Sequence, residues 1–245
     1  MTRSPVQPTL HFGVAVPQAN PTVEAEFRHL LRDRFLPVMT RLTSQAPDPG
    51  ERLKDYFEQI GTAIASFDTL ALAAFGFACT GSGYLVGVEA EDAAVQRLMD
   101  HFGLPVVTAT GAIRAELAIL GARRLAIFAP YPEALCAAAE AYWDQAGFRV
   151  VTLQRLQTGS DDTRSIYALT PDVVALALQR FASGDVDVVL LSGTGMPTLE
   201  ALTAHGGCPP MISSNLCLAT QMLRRTGEWP STAPADVEAM LAGAD

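Results

Sequence analysis

Short apolar runs alternate with longer segments in which apolar residues recur every three or four positions, and this alternation continues along most of the 245 residues. Short apolar runs bounded by turn residues predict buried strands, whereas the longer periodic segments predict helices. Strands that alternate with helices form parallel sheets covered by helices on both faces. The pattern therefore predicts an α/β protein.

The predicted elements fall into two halves with the same order. In the first half, strands and helices are predicted in turn at 9–16, 22–34, 36–43, 51–67, 70–77, 84–101, 103–109 and 111–120. In the second half they are predicted at 124–129, 133–145, 148–153, 171–182, 186–192, 198–205, 207–213 and 215–225, with a last helix at 235–242. Thr22 is the predicted N-cap of the first helix.

The third predicted strand of each half ends in a Thr-Gly loop. The first loop, Cys79–Gly81, follows the run 70–77, and the second loop, Gly193–Gly195, follows the run 186–192. The loops lie 114 residues apart and align without a gap, but a cysteine in the first corresponds to a glycine in the second. Because ligands bind at the carboxyl ends of parallel strands, we expect both loops to line one cleft.

This repeat predicts two doubly wound parallel-sheet domains related by a pseudo-twofold axis, with the site between them. The first domain is predicted at 9–118 and is completed by the C-terminal segment 215–245. The second domain is predicted at 119–214.

Composition and charge mainly exclude classes of partner. A net charge of −9 and a pI of about 4.9 argue against nucleic acid, which needs a basic stripe. No apolar run reaches the roughly 20 residues that cross a bilayer, and no signal segment is visible, so we expect a cytoplasmic protein without a membrane partner. The acidic surface permits a homo-oligomer. The cysteines at 79, 136, 208 and 217 lack metal-ligand spacing, which predicts free thiols and no metal site.

Cys79 is the candidate reactive group. It is predicted to lie between a strand and a helix start, where free N–H groups and the helix dipole can lower a thiol pKa. A lone buried cysteine is more often a small hydrophobic residue, and the other three cysteines keep that interpretation. The repeated Thr-Gly loop favours chemistry at Cys79.

Several residues are candidates for binding carboxylates. Glycine permits close backbone approach and threonine supplies a hydroxyl donor. Asn20 and Tyr131 follow the first strand of each half, where a turn-forming Asn and a half-buried Tyr are equally open alternatives. The candidate binding residues are Asn20, Thr80, Gly81, Tyr131, Gly193, Thr194 and Gly195. The glycines of 81–87 depart from a dinucleotide-binding pattern by one residue, so that function is not favoured.

Four segments, 17–26, 76–80, 127–131 and 191–199, resemble the Asp/Glu racemase superfamily, in particular maleate cis–trans isomerases and arylmalonate decarboxylases. The resemblance covers nearly the whole chain. It implies two flavodoxin-like domains with the active site between them, and catalysis without a cofactor or metal.

The resemblance also implies residue roles. Most members carry a cysteine on each loop; Cys79 matches the first, and Gly193 occupies the second position, which disfavours racemisation by two bases. It implies that Asn20, Thr80, Tyr131, Thr194 and Gly195 hold substrate carboxylates. We therefore expect an isomerase acting on a small dicarboxylate, with Cys79 as nucleophile or proton donor. The alternatives are a decarboxylase-like lyase that protonates an enediolate from Cys79, and a non-catalytic carboxylate-binding homologue.

Overall fold

Two four-stranded parallel sheets form the frame of the protein, in a computed structural model that describes residues 10–31 and 35–242. The strand orders are β2-β1-β3-β4 and β6-β5-β7-β8, so the two sheets have the same topology. The strands are β1 (Leu10–Pro17), β2 (Phe35–Leu42), β3 (Ala74–Phe77), β4 (Val106–Thr108), β5 (Arg124–Ala129), β6 (Arg149–Arg155), β7 (Val188–Leu191) and β8 (Met211–Ser213). The predicted α/β fold with two pseudo-symmetric parallel sheets is confirmed.

Helices connect the strands. They are α1 (Thr22–Leu30), α2 (Pro49–Glu58), α3 (Ile60–Ala65), α4 (Thr80–Val86), α5 (Val88–Phe102), α6 (Ala109–Ile119), α7 (Glu133–Gln145), α8 (Pro171–Leu178), α9 (Leu199–Ala204), α10 (Ser214–Arg225) and α11 (Val237–Ala242), with a 3₁₀ helix at Thr163–Ala168. Among the described residues, none of these helices combines the length and apolar character needed to cross a membrane.

The inner strands are the most buried elements, as their apolar sequences predict. All four residues of β3 and of β7 are buried, and each of these strands lies between two neighbours in its sheet. Parallel strands with both faces covered carry continuous apolar runs. The two Thr-Gly loops therefore start from rigid positions at the carboxyl ends of β3 and β7.

Helix α10 packs on the first sheet, although it follows the last strand of the second. A Cβ atom at Gly76 in β3 would lie 2.6 Å from the sulfur of Met222 in α10. The buried carboxylate of Glu116 in α6 accepts hydrogen bonds from Gln221 and Arg224 of α10 and from the N–H of Ala235. These contacts join the C-terminal segment to the first half; the domain boundaries themselves stay a prediction.

Several predicted bounds differ from the structure: β3, β4, β7 and β8 are shorter than predicted, α8 ends at Leu178, and three helical predictions differ further. Pro21, not Thr22, caps α1, which ends at Leu30; residue 9 and residues 32–34 lie outside the described residues. The helix predicted at 51–67 is two helices, α2 and α3. The helix predicted at 84–101 starts earlier, at Thr80, and is divided at Gly87, whose φ of 84° favours glycine.

Candidate active site

The two Thr-Gly loops meet between the sheets around a small cavity of about 30 Å³. Its walls bring together seven of the eight predicted site residues: Cys79, Thr80, Gly81, Tyr131, Gly193, Thr194 and Gly195. Asn20 is not part of the wall. Residues more than 100 positions apart therefore converge on one point, as the repeat predicts for two loops at equivalent strand ends.

Cys79 lies at the N-cap position of α4, in extended conformation, and only 4% of its surface is exposed. Burial raises the pKa of the Cys79 thiol; it outweighs the Ser82 hydroxyl and the N–H groups of Ser82 and Gly81, which lower it. The prediction of a lowered pKa is therefore wrong. A helix start stabilises a thiolate, but here desolvation has the larger effect.

The hydroxyl of Ser82 contacts the sulfur of Cys79. Its hydroxyl oxygen lies 3.1 Å from Cys79 Sγ and 2.6 Å from the carbonyl oxygen of Leu53. A serine hydroxyl has one proton to donate, so the two contacts compete for it. Turned towards Cys79, the hydroxyl stabilises a thiolate; turned towards Leu53, it leaves the neutral thiol as the donor. Sequence reasoning missed Ser82, although it lies three residues after the helix N-cap and so on the same side of the first turn as Cys79.

A chain of hydroxyl groups crosses the cavity from the first half to the second. Thr80 Oγ1 lies 2.5 Å from the Tyr131 hydroxyl, which lies 3.3 Å from Ser192 Oγ. Ser192 Oγ in turn lies 2.7 Å from the Tyr84 hydroxyl. Burial raises the pKa of Tyr131 well above its ordinary value, so its hydroxyl stays protonated and can donate a hydrogen bond.

Thr194 is fixed by the first half of the chain. Its hydroxyl donates to the carbonyl oxygen of Ala78 at 2.8 Å and accepts from Asn20 Nδ2 at 3.3 Å. Thr22 donates to the carbonyl oxygen of Gly195 at 2.9 Å. Asn20 therefore contacts the wall of the cavity from behind, through Thr194.

Gly193 occupies a backbone conformation that disfavours a cysteine in this arrangement. Its φ is 129°, and a Cβ atom there would lie 3.3 Å from both Pro130 Cδ and the Tyr131 hydroxyl. Side chains with a Cβ rarely adopt such a φ. A side chain at position 193 would therefore strain this loop.

The remaining wall is mostly apolar and was not predicted. It consists of Pro17, Leu53, Leu135, Thr163, Ile166 and Tyr167. The last three belong to the 3₁₀ helix, whose N-cap, Asp162, forms a 2.6 Å ion pair with the buried Arg52 of α2. No sequence pattern links these positions, because the contact depends on how the two halves face each other.

Within residues 10–31 and 35–242, no group of three or more His, Cys, Asp and Glu side chains is arranged to hold a metal ion. The polar side chains that line the cavity are one thiol, three threonines and two tyrosines. Such an arrangement can bind carboxylates and move a proton or an electron pair at one sulfur.

A curated maleate isomerase of Pseudomonas putida strain KT2440 is 27% identical to the chain, over 95% of this chain and 97% of that protein. Among solved structures, a cysteine-to-serine mutant of Nocardia farcinica maleate cis-trans isomerase with a covalently bound succinylcysteine intermediate has a TM-score of 0.81 and 22% identity, covering 96% of this chain and all (100%) of that chain.

A double mutant of arylmalonate decarboxylase in the liganded form has a TM-score of 0.75 and 22% identity, covering 93% of this chain and 97% of that chain. In that mutant a glycine is changed to cysteine, and a cysteine 114 positions later is changed to serine. Both solved structures share the fold described above. The model of the arylmalonate decarboxylase family matches residues 13–235, which is most of the sequence. The chain therefore belongs to the arylmalonate decarboxylase family, within the Asp/Glu racemase superfamily.

Proposed function

We propose that the protein is a cofactor-independent isomerase of a small dicarboxylate, similar to maleate isomerase, with Cys79 as its reacting group. The observation that carries the proposal is the position of the Cys79 sulfur in a cavity lined by two Thr-Gly loops and a buried tyrosine hydroxyl. The maleate isomerase that resembles the chain along nearly its full length supports the choice of substrate class.

The proposed reaction is addition followed by elimination. The Cys79 thiolate attacks one alkene carbon of a cis dicarboxylate, and the electron pair of the double bond moves into the carboxylate on the other carbon. Donors from Thr80, Tyr131 and Thr194 stabilise that charge, as an oxyanion site does. After rotation about the new single bond, the electron pair returns and expels the thiolate, leaving the trans isomer. The succinylcysteine intermediate of the Nocardia farcinica enzyme has the expected bonding.

The size of the cavity supports a small substrate. About 30 Å³ holds one or two water molecules. A dicarboxylate enters only if part of the wall moves, and an aryl-substituted acid needs a larger movement.

Assay of purified protein with maleate, with fumarate measured by NMR, tests the proposal. Cys79→Ala and Cys79→Ser are expected to lose turnover by about a thousand-fold or more, because a nucleophile is removed. Cys208→Ser changes an exposed cysteine and serves as the matched control. Retained turnover in both Cys79 variants would remove this residue from the mechanism.

A second candidate is decarboxylation of a substituted malonate, and it is favoured by the raised pKa of Cys79. A neutral thiol is the form that donates a proton. Loss of carbon dioxide leaves its bonding electrons in an enediolate, which takes the proton from Sγ; the thiolate is then reprotonated from solvent.

Assay with substituted malonates, measuring carbon dioxide release and product handedness, distinguishes this reaction. The double variant Cys79→Gly, Gly193→Cys moves the thiol to the opposite loop. It is expected to give a product of the opposite handedness, at a rate lowered by the strain at position 193. Carbon dioxide release without fumarate formation by the wild type would replace the isomerase proposal.

A further inference from the structure

A buried carboxylate lies behind the second Thr-Gly loop. Glu26 of α1 is only 4% exposed. Its Oε1 accepts from the N–H groups of Thr198 at 2.5 Å and Leu199 at 3.1 Å, and from Thr198 Oγ1 at 3.1 Å. Its Oε2 accepts from Asn215 Nδ2 at 2.7 Å. Thr198 and Leu199 follow the second Thr-Gly loop, and Asn215 lies in α10. One side chain of the first half therefore binds both of these segments.

Hydrogen bonds alone stabilise this carboxylate. None of the ion pairs among the described residues includes Glu26. A buried carboxylate without a cation is costly to maintain, so its donors must be well placed. Glu26 does not line the cavity, so the desolvation cost of burying its carboxylate calls for a role other than packing.

Asn215 connects Glu26 to the cavity. Its Nδ2 donates both to Glu26 Oε2 and, at 3.0 Å, to the carbonyl oxygen of Thr194. Both neighbours can only accept, so the amide must present its nitrogen to them. In this orientation the amide oxygen of Asn215, Oδ1, is buried without a hydrogen-bond partner, which is energetically unfavourable. The orientation of Asn215, and with it the position of Thr194, therefore depends on an acceptor at Glu26.

We propose that Glu26 is a positioning residue, which holds the second Thr-Gly loop in its carboxylate-binding geometry through Asn215 and Thr198. The inference rests on the proposed function, because it assumes that Thr194 and Gly195 hold a substrate carboxylate. Glu26 does not touch the substrate, and Cys79 and its neighbours in α4 do not depend on it.

The Glu26→Gln variant tests this assignment. Glutamine has the same shape, but its amide nitrogen faces either Asn215 Nδ2 or the Thr198 N–H, and both of these are donors. Succinate, which has no double bond for a thiol to attack, serves as the probe. The readout is the succinate concentration that halves the rate at which iodoacetamide labels Cys79.

We expect Glu26→Gln to raise that succinate concentration about ten-fold or more, since charged hydrogen bonds are lost. The labelling rate without succinate is expected to stay within about twofold of wild type, because the hydrogen bonds of Glu26 go to Thr198, Leu199 and Asn215 and not to the Cys79 loop. Glu58→Gln makes the same chemical change at the exposed end of α2 and is expected to leave both values unchanged. A purely structural Glu26 would lower the melting temperature and leave succinate protection as in wild type.

Asn215→Ala keeps the proposal testable if Glu26→Gln does not fold, since it removes the link and leaves the Thr198 and Leu199 bonds to Glu26. It is expected to weaken succinate protection. Where Glu26→Gln does fold, adding it to Asn215→Ala is expected to weaken protection by less than Glu26→Gln does in the wild type. Unchanged protection in Asn215→Ala, or strictly additive effects, would overturn the inference. Failure of succinate to protect wild-type Cys79 would instead overturn the proposed function and the inference with it.

Discussion

Whether Cys79 carries its proton decides which chemistry the cavity can perform. Burial holds the thiol neutral, and the hydroxyl of Ser82 together with the N–H groups of α4 favours the thiolate. Addition to a double bond needs the thiolate, whereas protonation of an enediolate needs the thiol. The two proposed reactions therefore have opposite dependence on pH.

For isomerisation, kcat/KM is expected to rise with pH through the raised pKa of Cys79; for decarboxylation it is expected to fall over the same range. Iodoacetamide labelling of the free protein is expected to follow the thiolate, with a midpoint above the value of about 8.5 of an unperturbed cysteine. A midpoint at or below that value would contradict the environment described for Cys79.

The same raised pKa couples Cys79 to stability. Because the folded state binds this proton more tightly than the unfolded chain, the thiol's contribution is fully present below the unfolded pKa and is lost as pH rises through the folded pKa. The free energy of unfolding of wild type is therefore expected to fall more steeply at alkaline pH than that of Cys79→Ser. The prediction would be contradicted if the free energies of unfolding of the two proteins, from urea denaturation, changed equally with pH across this range.

Gly193→Ala is expected to lower the free energy of unfolding by about 1–3 kcal/mol, because alanine must adopt a φ suited to glycine. The added Cβ would also press on Pro130 and on the Tyr131 hydroxyl. Gly206→Ala is the matched control: it has open space around its Cβ position and no positive φ, so it is expected to be neutral. Equal urea midpoints for the two variants would show that the loop relaxes without cost.

The residues that the sequence predicted at the site are those covered by the internal repeat. Cys79 and Gly193 occupy equivalent strand ends, so their convergence followed from the order of the elements. Ile166 and Tyr167 could not be predicted in this way, since they lie in a connection that the repeat does not include. Asn20 was assigned from its loop, but the structure places it behind Thr194.

At the scale of elements, the 3₁₀ helix Thr163–Ala168 forms part of the cavity wall and is joined to α2 of the other half by an ion pair. Arg52 is 2% exposed and its ion pair with Asp162 spans 110 residues of sequence. An ion pair with one fully buried partner is costly to break, because removal of the carboxylate leaves an uncompensated charge.

Asp162→Asn is expected to lower the free energy of unfolding by about 1–3 kcal/mol and to increase the iodoacetamide labelling rate of Cys79, because the wall loses its tether. Asparagine keeps the capping oxygen, so the 3₁₀ helix itself can persist. Asp161→Asn, the neighbouring change, affects a carboxylate that is 85% exposed and paired with Arg155, and it is expected to have little effect on either measurement. Identical labelling rates in the wild type, Asp162→Asn and Asp161→Asn would show that the Arg52–Asp162 ion pair does not hold the cavity wall in place.

Element boundaries were predicted well where the ends carry strong local signals. Strand β5 and helix α7 match their predicted ranges, since Pro130 and Pro132 separate them. The break at Gly87 was missed because a glycine within a periodic segment is often tolerated in a helix. Strands β4 and β8 are shorter than predicted, because their first apolar residues lie before the ladder begins.

At the scale of the whole molecule, buried polar contacts join the two halves. Tyr84 meets Ser192 at 2.7 Å, and the Tyr142 hydroxyl donates to the buried Glu91 at 2.5 Å. The internal repeat predicted two facing sheets, but not these contacts, since Tyr84, Glu91 and Tyr142 lie on helices whose faces the periodicity does not orient. The assignment of 215–245 to the first domain remains testable.

Met222→Ala is expected to lower the free energy of unfolding by about 2–5 kcal/mol. It is also expected to accelerate amide hydrogen exchange first in β1 and β3, because Met222 packs against Gly76. Ile127→Ala in β5 is the matched core change and is expected to act first on the second sheet. Loss of protection in the second sheet alone after Met222→Ala would reassign the C-terminal segment.

Peptide mapping by mass spectrometry, on wild-type protein quenched with acid during turnover of maleate, tests most directly whether the lone sulfur performs the reaction. The prediction is a covalent adduct with the mass of one maleate, confined to Cys79 and absent from Cys136, Cys208 and Cys217. Steady formation of fumarate with Cys79 unmodified, or equal modification of the exposed Cys208, would contradict it.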